Sequence, residues 1–197
     1  MTTTVVIIII VLVLVAAGLF AWSAMRRRAL RDRFGPEYDR AVETTSSRTE
    51  AERELRERER RHASLELTPL SAESRESYTA QWEEVQARFV DEPAGAVGEA
   101  DALVTRLIAE RGYPTGDYDD QLSHLSVEHS RTLDHYRQAH DIHERNSRGE
   151  ATTEQLRQAL VHYRALFADL LGTEPDHVVG STTPHDSDAT PDRERQP

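Results

Sequence analysis

The sequence contains no cysteine and no lysine, although it is 197 residues long. Without cysteine the chain can form no disulfide framework, no thiolate zinc site and no cysteine nucleophile. Because lysine is absent, arginine carries all of the permanent positive charge. The formal net charge is −11 at pH 7, whereas a nucleic-acid-binding surface needs clustered basic groups that acidic neighbours do not neutralise. The composition therefore argues against a nucleic-acid partner.

The long apolar run at the N-terminus predicts a membrane anchor. Every residue in the range 5–22 is apolar or glycine, and residues 23–25 extend the run. Its length is then about 20 residues, which is what a helix needs to span a ~30 Å hydrocarbon core. Trp22 lies at the end of the run, where aromatic residues are favoured at the membrane–water interface. We therefore predict one transmembrane helix within an anchor that comprises residues 1–33.

Three arginines after this run predict the orientation of the anchor. Arg26, Arg27 and Arg28 follow the apolar residues at once. Basic residues beside a spanning helix are retained in the cytoplasm, so we expect a single-pass protein of the cell membrane with a cytoplasmic soluble domain. The same arginines are placed to contact anionic lipids, at ~1 kcal/mol for each one near the surface. An extracytoplasmic or secreted domain is the alternative.

A cleaved signal peptide is a second interpretation of the N-terminus. Ala21, Trp22 and Ser23 have the small-x-small pattern of a cleavage site. However, residues 1–4 carry no basic side chain, and the apolar run is longer than the ~7–15 residues usual in a signal peptide. We therefore favour an uncleaved anchor and leave cleavage as the alternative.

Residues 34–70 are predicted to form a charged helical stalk. The sequence Phe34-Gly35-Pro36 interrupts the anchor helix, and glutamate and arginine alternate over residues 50–61. Opposite charges four residues apart stabilise an isolated helix by ~0.2–0.5 kcal/mol per pair. The apolar seam of this segment is narrow, and consists of Ala51, Leu55, His62 and Leu65. We therefore expect a solvated helix, with a short coiled coil formed with a partner as the alternative.

Residues 71–172 are predicted to form a small helical bundle. Apolar residues recur there at helical spacing, and no period-two strand pattern occurs outside the membrane segment. Gly112 is placed to end one helix, while Thr152 and Gln155 have the spacing of a capping box at the start of another. Residues 173–197 are rich in proline, threonine, serine and aspartate, so we expect a disordered tail. The predicted fold class is all-α.

The histidines between residues 124 and 143 raise the possibility of a metal site. His135, His140, His143 and Glu144 fall within three turns of a predicted helix. A zinc site needs three or four convergent ligands, and the ordered HExxH motif is absent. No nucleophile elbow or phosphate-binding loop occurs either. We therefore assign no catalytic, cofactor-binding or metal-binding residue and do not predict an enzyme.

Three segments of the chain carry a family resemblance. They are residues 33–40 (RFGPEYDR), residues 82–97 (WEEVQARFVDEPAGAV) leading into 110–114 (ERGYP), and residues 156–167 (LRQALVHYRALF). These strings resemble a family of uncharacterised bacterial proteins that is frequent in high-GC Gram-positive bacteria. Its members have one N-terminal hydrophobic segment and are described as hypothetical membrane or secreted proteins. The resemblance implies the architecture and brings no activity, cofactor or catalytic residue.

The combination of an anchor, a charged segment and a small bundle predicts a protein that binds other proteins. We expect a membrane-tethered helical interaction or scaffold protein, with a protein partner or a second copy of the chain as its target. The stalk and the face around Tyr78 and Trp82 are the predicted contact surfaces. The alternative function is a metal- or small-ligand-binding sensor that uses residues 124–143. The specific role, the partner and the oligomeric state stay open at this point.

Overall fold

The regular secondary structure of the described residues is entirely helical. The computed structural model describes residues 2–172, with side chains for residue 10 and residues 12–172. Within residues 2–172 there are eight α-helices and no strand, which confirms the all-α fold class. The helices are α1 (Thr2–Phe34), α2 (Pro36–Thr44), α3 (Arg48–His62), α4 (Ala72–Arg88), α5 (Pro93–Glu110), α6 (Tyr118–Glu128), α7 (Leu133–Ser147) and α8 (Thr153–Leu171). The tail predicted to be disordered, residues 173–197, lies outside the described residues.

The predicted ends of the bundle helices are confirmed by their hydrogen bonds. Thr152 and Gln155 form the capping box at the start of α8. Gly112 follows α5 with φ +92°, and the next N–H, that of Tyr113, donates to the carbonyl of Ile108 at 3.2 Å. This 6→1 bond is the Schellman pattern, which requires a left-handed residue and therefore favours glycine. Local sequence signals thus determine where these helices start and stop.

The bundle core is built from the apolar faces of α4, α5, α6, α7 and α8. Tyr136 and Tyr163 are almost fully buried, and the rings of Trp82 and Phe167 stack with centroids 4.8 Å apart. Tyr78 and Trp82 are only 7% and 6% exposed. The prediction that their face is a contact surface is therefore wrong. The stripe faces inward because burial removes its large apolar area from water.

A second, smaller core joins the end of α1 to α2 and α3. We call residues 26–62 the collar. Its apolar centre consists of Leu30, Phe34, Tyr38, Ala41, Ala51 and Leu55, with Val127 of α6 packed against them. Leu55 and Ala51 are fully buried, so α3 is not the solvated helix that the charge alternation predicted. The seam proposed for a coiled coil with a partner is covered within the chain itself. Its residues Ala51 and Leu55 pack against apolar side chains at the C-terminal end of α1.

Two ion pairs fix the direction of α3 relative to α1. Arg27 Nε lies 3.4 Å from Glu52 Oε1, and Arg33 Nη1 lies 2.8 Å from Glu59 Oε1. Both pairs advance in the same direction along the two helices, so α3 runs parallel to the C-terminal part of α1. The first turn of α3 therefore lies on the side of Trp22, towards the apolar part of α1.

The apolar part of α1 extends away from the collar with exposed side chains. Leu14 is 66% exposed and Phe20 is 75% exposed, and every described side chain from residue 10 to residue 22 is exposed. Among the residues searched, which are the described ones, no helix is long and apolar enough to cross a membrane. The predicted transmembrane segment, residues 5–22, includes residues 5–9 and 11, whose side chains lie outside the described residues.

Candidate functional site

The collar meets the bundle along α6 and α7. This junction contains a buried ion pair, a cleft and a group of buried histidines. Arg137 of α7 donates two hydrogen bonds to the carboxylate of Glu37 of α2, at 2.5 and 2.7 Å. Glu37 is 3% exposed, so this bidentate pair is buried. Burial alone would lower the pKa of Arg137, but the hydrogen bonds to Glu37 and its charge together outweigh burial and raise that pKa. The pair ties the collar to the bundle.

Arg61, at the end of α3, makes the second polar link across the junction. Its two terminal nitrogens lie 3.1 Å from Asp120 Oδ1 and 3.0 Å from Ser123 Oγ, both on α6. The hydroxyl of Ser130 also donates to the backbone carbonyl of Arg33, at 3.4 Å. These bonds join residues that are far apart in sequence and close in the fold.

A cleft of about 840 Å³ opens at this junction, between α3 on one side and α6 and α7 on the other. Tyr118 and Leu122 supply its apolar surface. Its other lining residues are charged or polar, namely Arg40, Glu54, Arg58, Arg61, Asp117, Asp119, Asp120, Ser123, Arg137, His140, Asp141 and Glu144. The volume is within the ~300–1,000 Å³ typical of ligand sites. However, several of its arginines are already paired with carboxylates within the chain, so the charges do not select one sign of ligand.

A partly buried carboxylate, that of Asp101, orients one histidine of this cleft. Asp101 Oδ1 accepts a hydrogen bond from the hydroxyl of Tyr163 at 2.7 Å and lies 3.3 Å from Nδ1 of His140. The ring of His140 stacks on that of Tyr118, with centroids 4.2 Å apart. The hydrogen bond to Asp101 raises the pKa of His140. Burial would raise the pKa of Asp101, but hydrogen bonds from His140 and Tyr163 outweigh it and lower that pKa.

This Asp–His pair resembles the orienting half of a catalytic triad, in which a carboxylate fixes the tautomer of a base. The other ring nitrogen, Nε2, lies 3.9 Å from Glu144 Oε1. In the described part of the chain no serine or threonine hydroxyl is hydrogen-bonded to His140. The clearest role of the Asp–His pair is to hold α5, α7 and α8 together.

Three further histidines are buried where α3 meets α6. His62, His124 and His129 are 6%, 7% and 5% exposed. The rings of His62 and His124 have centroids 6.5 Å apart. His129 Nδ1 lies 2.9 Å from Asp169 Oδ2, which gives it an acidic partner. We call His62, His124 and His129 the buried histidine cluster.

Each member of this cluster has a buried ring nitrogen that forms no hydrogen bond, namely His62 Nε2, His124 Nδ1 and His129 Nδ1. His129 Nδ1 is still close to a carboxylate, that of Asp169. His62 Nε2 lies 3.7 Å from Glu128 Oε1, and the other ring nitrogen of His124, Nε2, lies 3.7 Å from Asp120 Oδ1. Burial lowers the pKa of both His62 and His124, because a charged imidazole loses its hydration there. Both rings are therefore held neutral at the junction.

Sequence reasoning did not find the buried histidine cluster. Its members come from α3, α6 and the turn after α6, and no spacing within one helix connects them. The one available signal was the position of His62, seven residues after Leu55 on the seam of α3. That seam is buried, and His62 is buried with it.

The histidines predicted as a possible metal site do not converge. His124 and His129 belong to the buried cluster, whereas His140 and His143 face Asp101. His135 pairs instead with His162 of α8, with 2.8 Å between their Nδ1 atoms. Within residues 2–172, no group of three or more histidine or carboxylate side chains has the geometry to hold a metal ion. Residues 124–143 therefore divide among three separate places.

The three arginines predicted to contact lipid have different surroundings. Arg26 lies over the ring of Trp22, with 4.3 Å from its guanidinium carbon to the ring centroid. Arg27 is paired with Glu52, as described above. Arg28 is 86% exposed and lies 3.9 Å from Asp32. The three consecutive arginines therefore differ in their contacts, although the sequence alone gives no reason to distinguish them.

Comparisons with known proteins add no relative from which a function could be transferred. No protein-family model, curated protein or solved structure matches the chain. The resemblance of residues 33–40, 82–97, 110–114 and 156–167 to a bacterial family stays a prediction. What the protein does must be inferred from its own residues and their geometry.

Proposed function

We propose that the protein is a single-pass, membrane-tethered scaffold whose collar and bundle lie at the cytoplasmic face of the cell membrane. The observation that carries this proposal is α1, one continuous helix of 33 residues. Its described side chains between residues 10 and 22 are exposed and almost all apolar, while Phe34 at its other end is fully buried. An exposed apolar surface of this kind marks an interaction site, and its composition suits lipid. In the sequence, the apolar run of residues 5–22 has about the length that a spanning helix needs.

The tether has no flexible linker between the membrane and the folded domain. The buried carboxylate of Glu52 lies 3.4 Å from Arg27 Nε, accepts a hydrogen bond from Arg56 at 3.1 Å, and accepts another from the Tyr38 hydroxyl at 3.2 Å. α1, α2 and α3 are thus joined at one point in the first two turns after the apolar segment. A scaffold held in this way would present a fixed face to partners at the membrane.

The proposed orientation in the membrane rests on the basic residues beside the apolar segment, and the proposed contact surface is one that packing within the chain leaves exposed. Basic residues next to the apolar segment favour a cytoplasmic C-terminal side. The aromatic face of α4 and the seam of α3 are both covered, so neither is free for a partner. The cleft at the collar–bundle junction is open and mixes apolar with charged groups, so we place partner contact there.

The tether can be tested by extracting membranes from cells that produce the full chain with alkaline carbonate. We expect the wild-type chain to stay in the membrane pellet. The double variant Val13→Arg/Ala17→Arg should move to the soluble fraction, because each arginine at the centre of a spanning helix costs about 2.5–3.5 kcal/mol. Ser64→Arg/Ser147→Arg is the matched control, since it adds the same charge at exposed positions. Release of the wild-type chain by carbonate would overturn the tether.

The scaffold role can be tested by affinity purification from membranes solubilised in a mild detergent. We expect a partner protein or a second copy of the chain to be recovered in stoichiometric amount. Arg40→Glu reverses a half-exposed charge of the cleft and should reduce that recovery, whereas Arg157→Glu on the outer face of α8 should not. A clean monomer from the wild-type chain contradicts the scaffold role and leaves the tether standing.

A further inference from the structure

The parallel packing of α1 and α3 leaves a narrow groove just below Trp22. The groove has a volume of about 250 Å³. Its lining residues are Arg26, Ala29, Leu30, Arg33, Arg56 and Glu59. Three guanidinium groups thus share the groove with a single carboxylate. The protein as a whole carries a net charge of −11, so a local excess of positive charge is unusual in it.

The three arginines of the groove differ in how far they are already paired. Arg33 is bound to Glu59 at 2.8 Å, and Arg56 is bound to Glu52 at 3.1 Å. Arg26 forms no ion pair within the described residues, and its contact is the cation–π interaction with Trp22. A guanidinium group has five N–H donors, so Arg33 and Arg56 keep donors free for a further acceptor.

The depth of the groove matches the depth of lipid phosphates. Arg26 is one helical turn beyond Trp22, which is about 6 Å along the axis at 1.5 Å per residue. The headgroup region adds roughly 5–8 Å on each side of the hydrocarbon core. Side chains of a helix lean towards its N-terminus, and both α1 and α3 have their N-termini on the membrane side. Arg26 and Arg56 therefore both lean towards the headgroups.

We propose that this groove binds the phosphate of one phospholipid with a net negative headgroup. Arg26 and Arg56 donate hydrogen bonds to the phosphate oxygens, and Arg33, held by Glu59, forms the lower wall. This inference rests on the membrane tether proposed above. It differs from general attraction to an anionic surface because it assigns the contact to particular arginines. Arg28 has a similar place in the sequence but does not line the groove and is exposed beside Asp32, so it should not contribute.

The test uses the full chain purified in a mild detergent and native mass spectrometry during titration with lipid. We expect phosphatidylglycerol to be retained at one copy per chain, and phosphatidylcholine to be retained much more weakly. Arg26→Gln and Arg56→Gln should each reduce apparent affinity for phosphatidylglycerol about tenfold, the effect expected for losing a charge-assisted hydrogen bond. Arg28→Gln removes the same charge and should leave the affinity within about twofold, because an exposed group contributes little.

Each outcome decides the proposal. Equal losses in Arg26→Gln, Arg56→Gln and Arg28→Gln would show surface attraction and overturn the specific groove. Displacement of the lipid by millimolar inorganic phosphate would assign the groove to free anions instead. Arg26→Gln breaks no ion pair, so an unchanged affinity in that variant contradicts the proposal even if Arg56→Gln is poorly folded. Failure of the tether would appear separately, as release of the chain by carbonate.

Discussion

Lowering the pH from 7.5 to 5 should weaken the junction between the collar and the bundle. His62 of α3 and His124 of α6 face each other there, and each is more than nine-tenths buried. Burial lowers the pKa of both imidazoles, because neither has a partner that offsets the loss of hydration. In the unfolded chain both rings take up a proton near pH 6.5. In the folded protein both rings stay neutral to a lower pH.

The sign of the effect follows from proton linkage. Below about pH 6.5 the unfolded chain binds more protons than the folded one, so the free energy of unfolding falls as the pH falls. Each such histidine contributes a slope of up to ~1.4 kcal/mol per pH unit, and two contribute up to ~2.7 kcal/mol. Glu128 and Asp120, each 3.7 Å from one of the rings, favour the protonated forms and reduce this slope.

His140 acts in the opposite direction. Asp101 raises its pKa, so the stability that His140 contributes is present below about pH 6.5 and is lost as the pH rises through the folded pKa. His140 therefore stabilises the protein as the pH falls towards 6.5, which is above the range in which His62 and His124 destabilise it. Between pH 6.5 and pH 5 the contribution of His140 is nearly constant, so the loss of stability in that range comes from histidines whose pKa is lowered by burial.

Urea unfolding followed by circular dichroism at several pH values, on the full chain in detergent, measures this slope. We expect His62→Gln/His124→Gln to flatten the loss of stability between pH 6.5 and pH 5, whatever its stability at pH 7.5. His140→Gln is the control: it should leave the slope between pH 6.5 and pH 5 close to that of the wild type, and should remove the stability gained as the pH falls towards 6.5. If the double glutamine variant keeps the wild-type slope, the buried histidines are not the groups that titrate, and the reasoning is refuted.

Three further substitutions test the packing, each by urea unfolding at pH 7.5. Leu55→Ala removes a fully buried side chain of the collar and should destabilise by about 2–5 kcal/mol, whereas a solvated α3 would show almost no change. Glu37→Gln leaves Arg137 charged and buried and should cost about 3–5 kcal/mol; an effect under 1 kcal/mol would show that the pair is solvated. Gly112→Ala places a Cβ atom 2.6 Å from a backbone oxygen at φ +92°, so it should cost over about 1 kcal/mol, while Gly116→Ala, with open space around it, should be nearly neutral.

Sequence patterns predicted the bundle well because its signals are local. The capping box of Thr152 and Gln155 and the glycine turn at Gly112 act within a few residues, and the structure has both. The collar was not predicted because it is held together by contacts between residues that are far apart in the sequence. Leu30 was assigned to the anchor and Phe34 to the break that follows it, although both apolar side chains need a cover. The apolar seam of α3 supplies that cover. The glutamates and arginines around the seam had instead predicted that α3 would be a solvated helix.

The polar groups of the junction were harder still to predict. Asp101 and His140 come from different helices, 39 residues apart in sequence. His62 and Tyr113 are even farther from each other along the chain, although their ring centroids are 6.0 Å apart. Helical spacing alone separates His135 from His140, because five residues turn a helix by about 140°. Spacing within one segment cannot show which distant segment supplies a partner.

The central claim is that the collar and the bundle lie at the cytoplasmic face of the membrane, and cysteine labelling tests it most directly. The chain has no cysteine, so single cysteines at Ser64 and Ser147, both exposed, give a background-free signal. Intact cells are treated with a membrane-impermeant maleimide, and detergent-lysed cells serve as the control for reactivity. We expect both positions to be protected in intact cells and labelled after lysis. Labelling of both positions in intact cells would contradict the account and place the folded domain outside the cytoplasm.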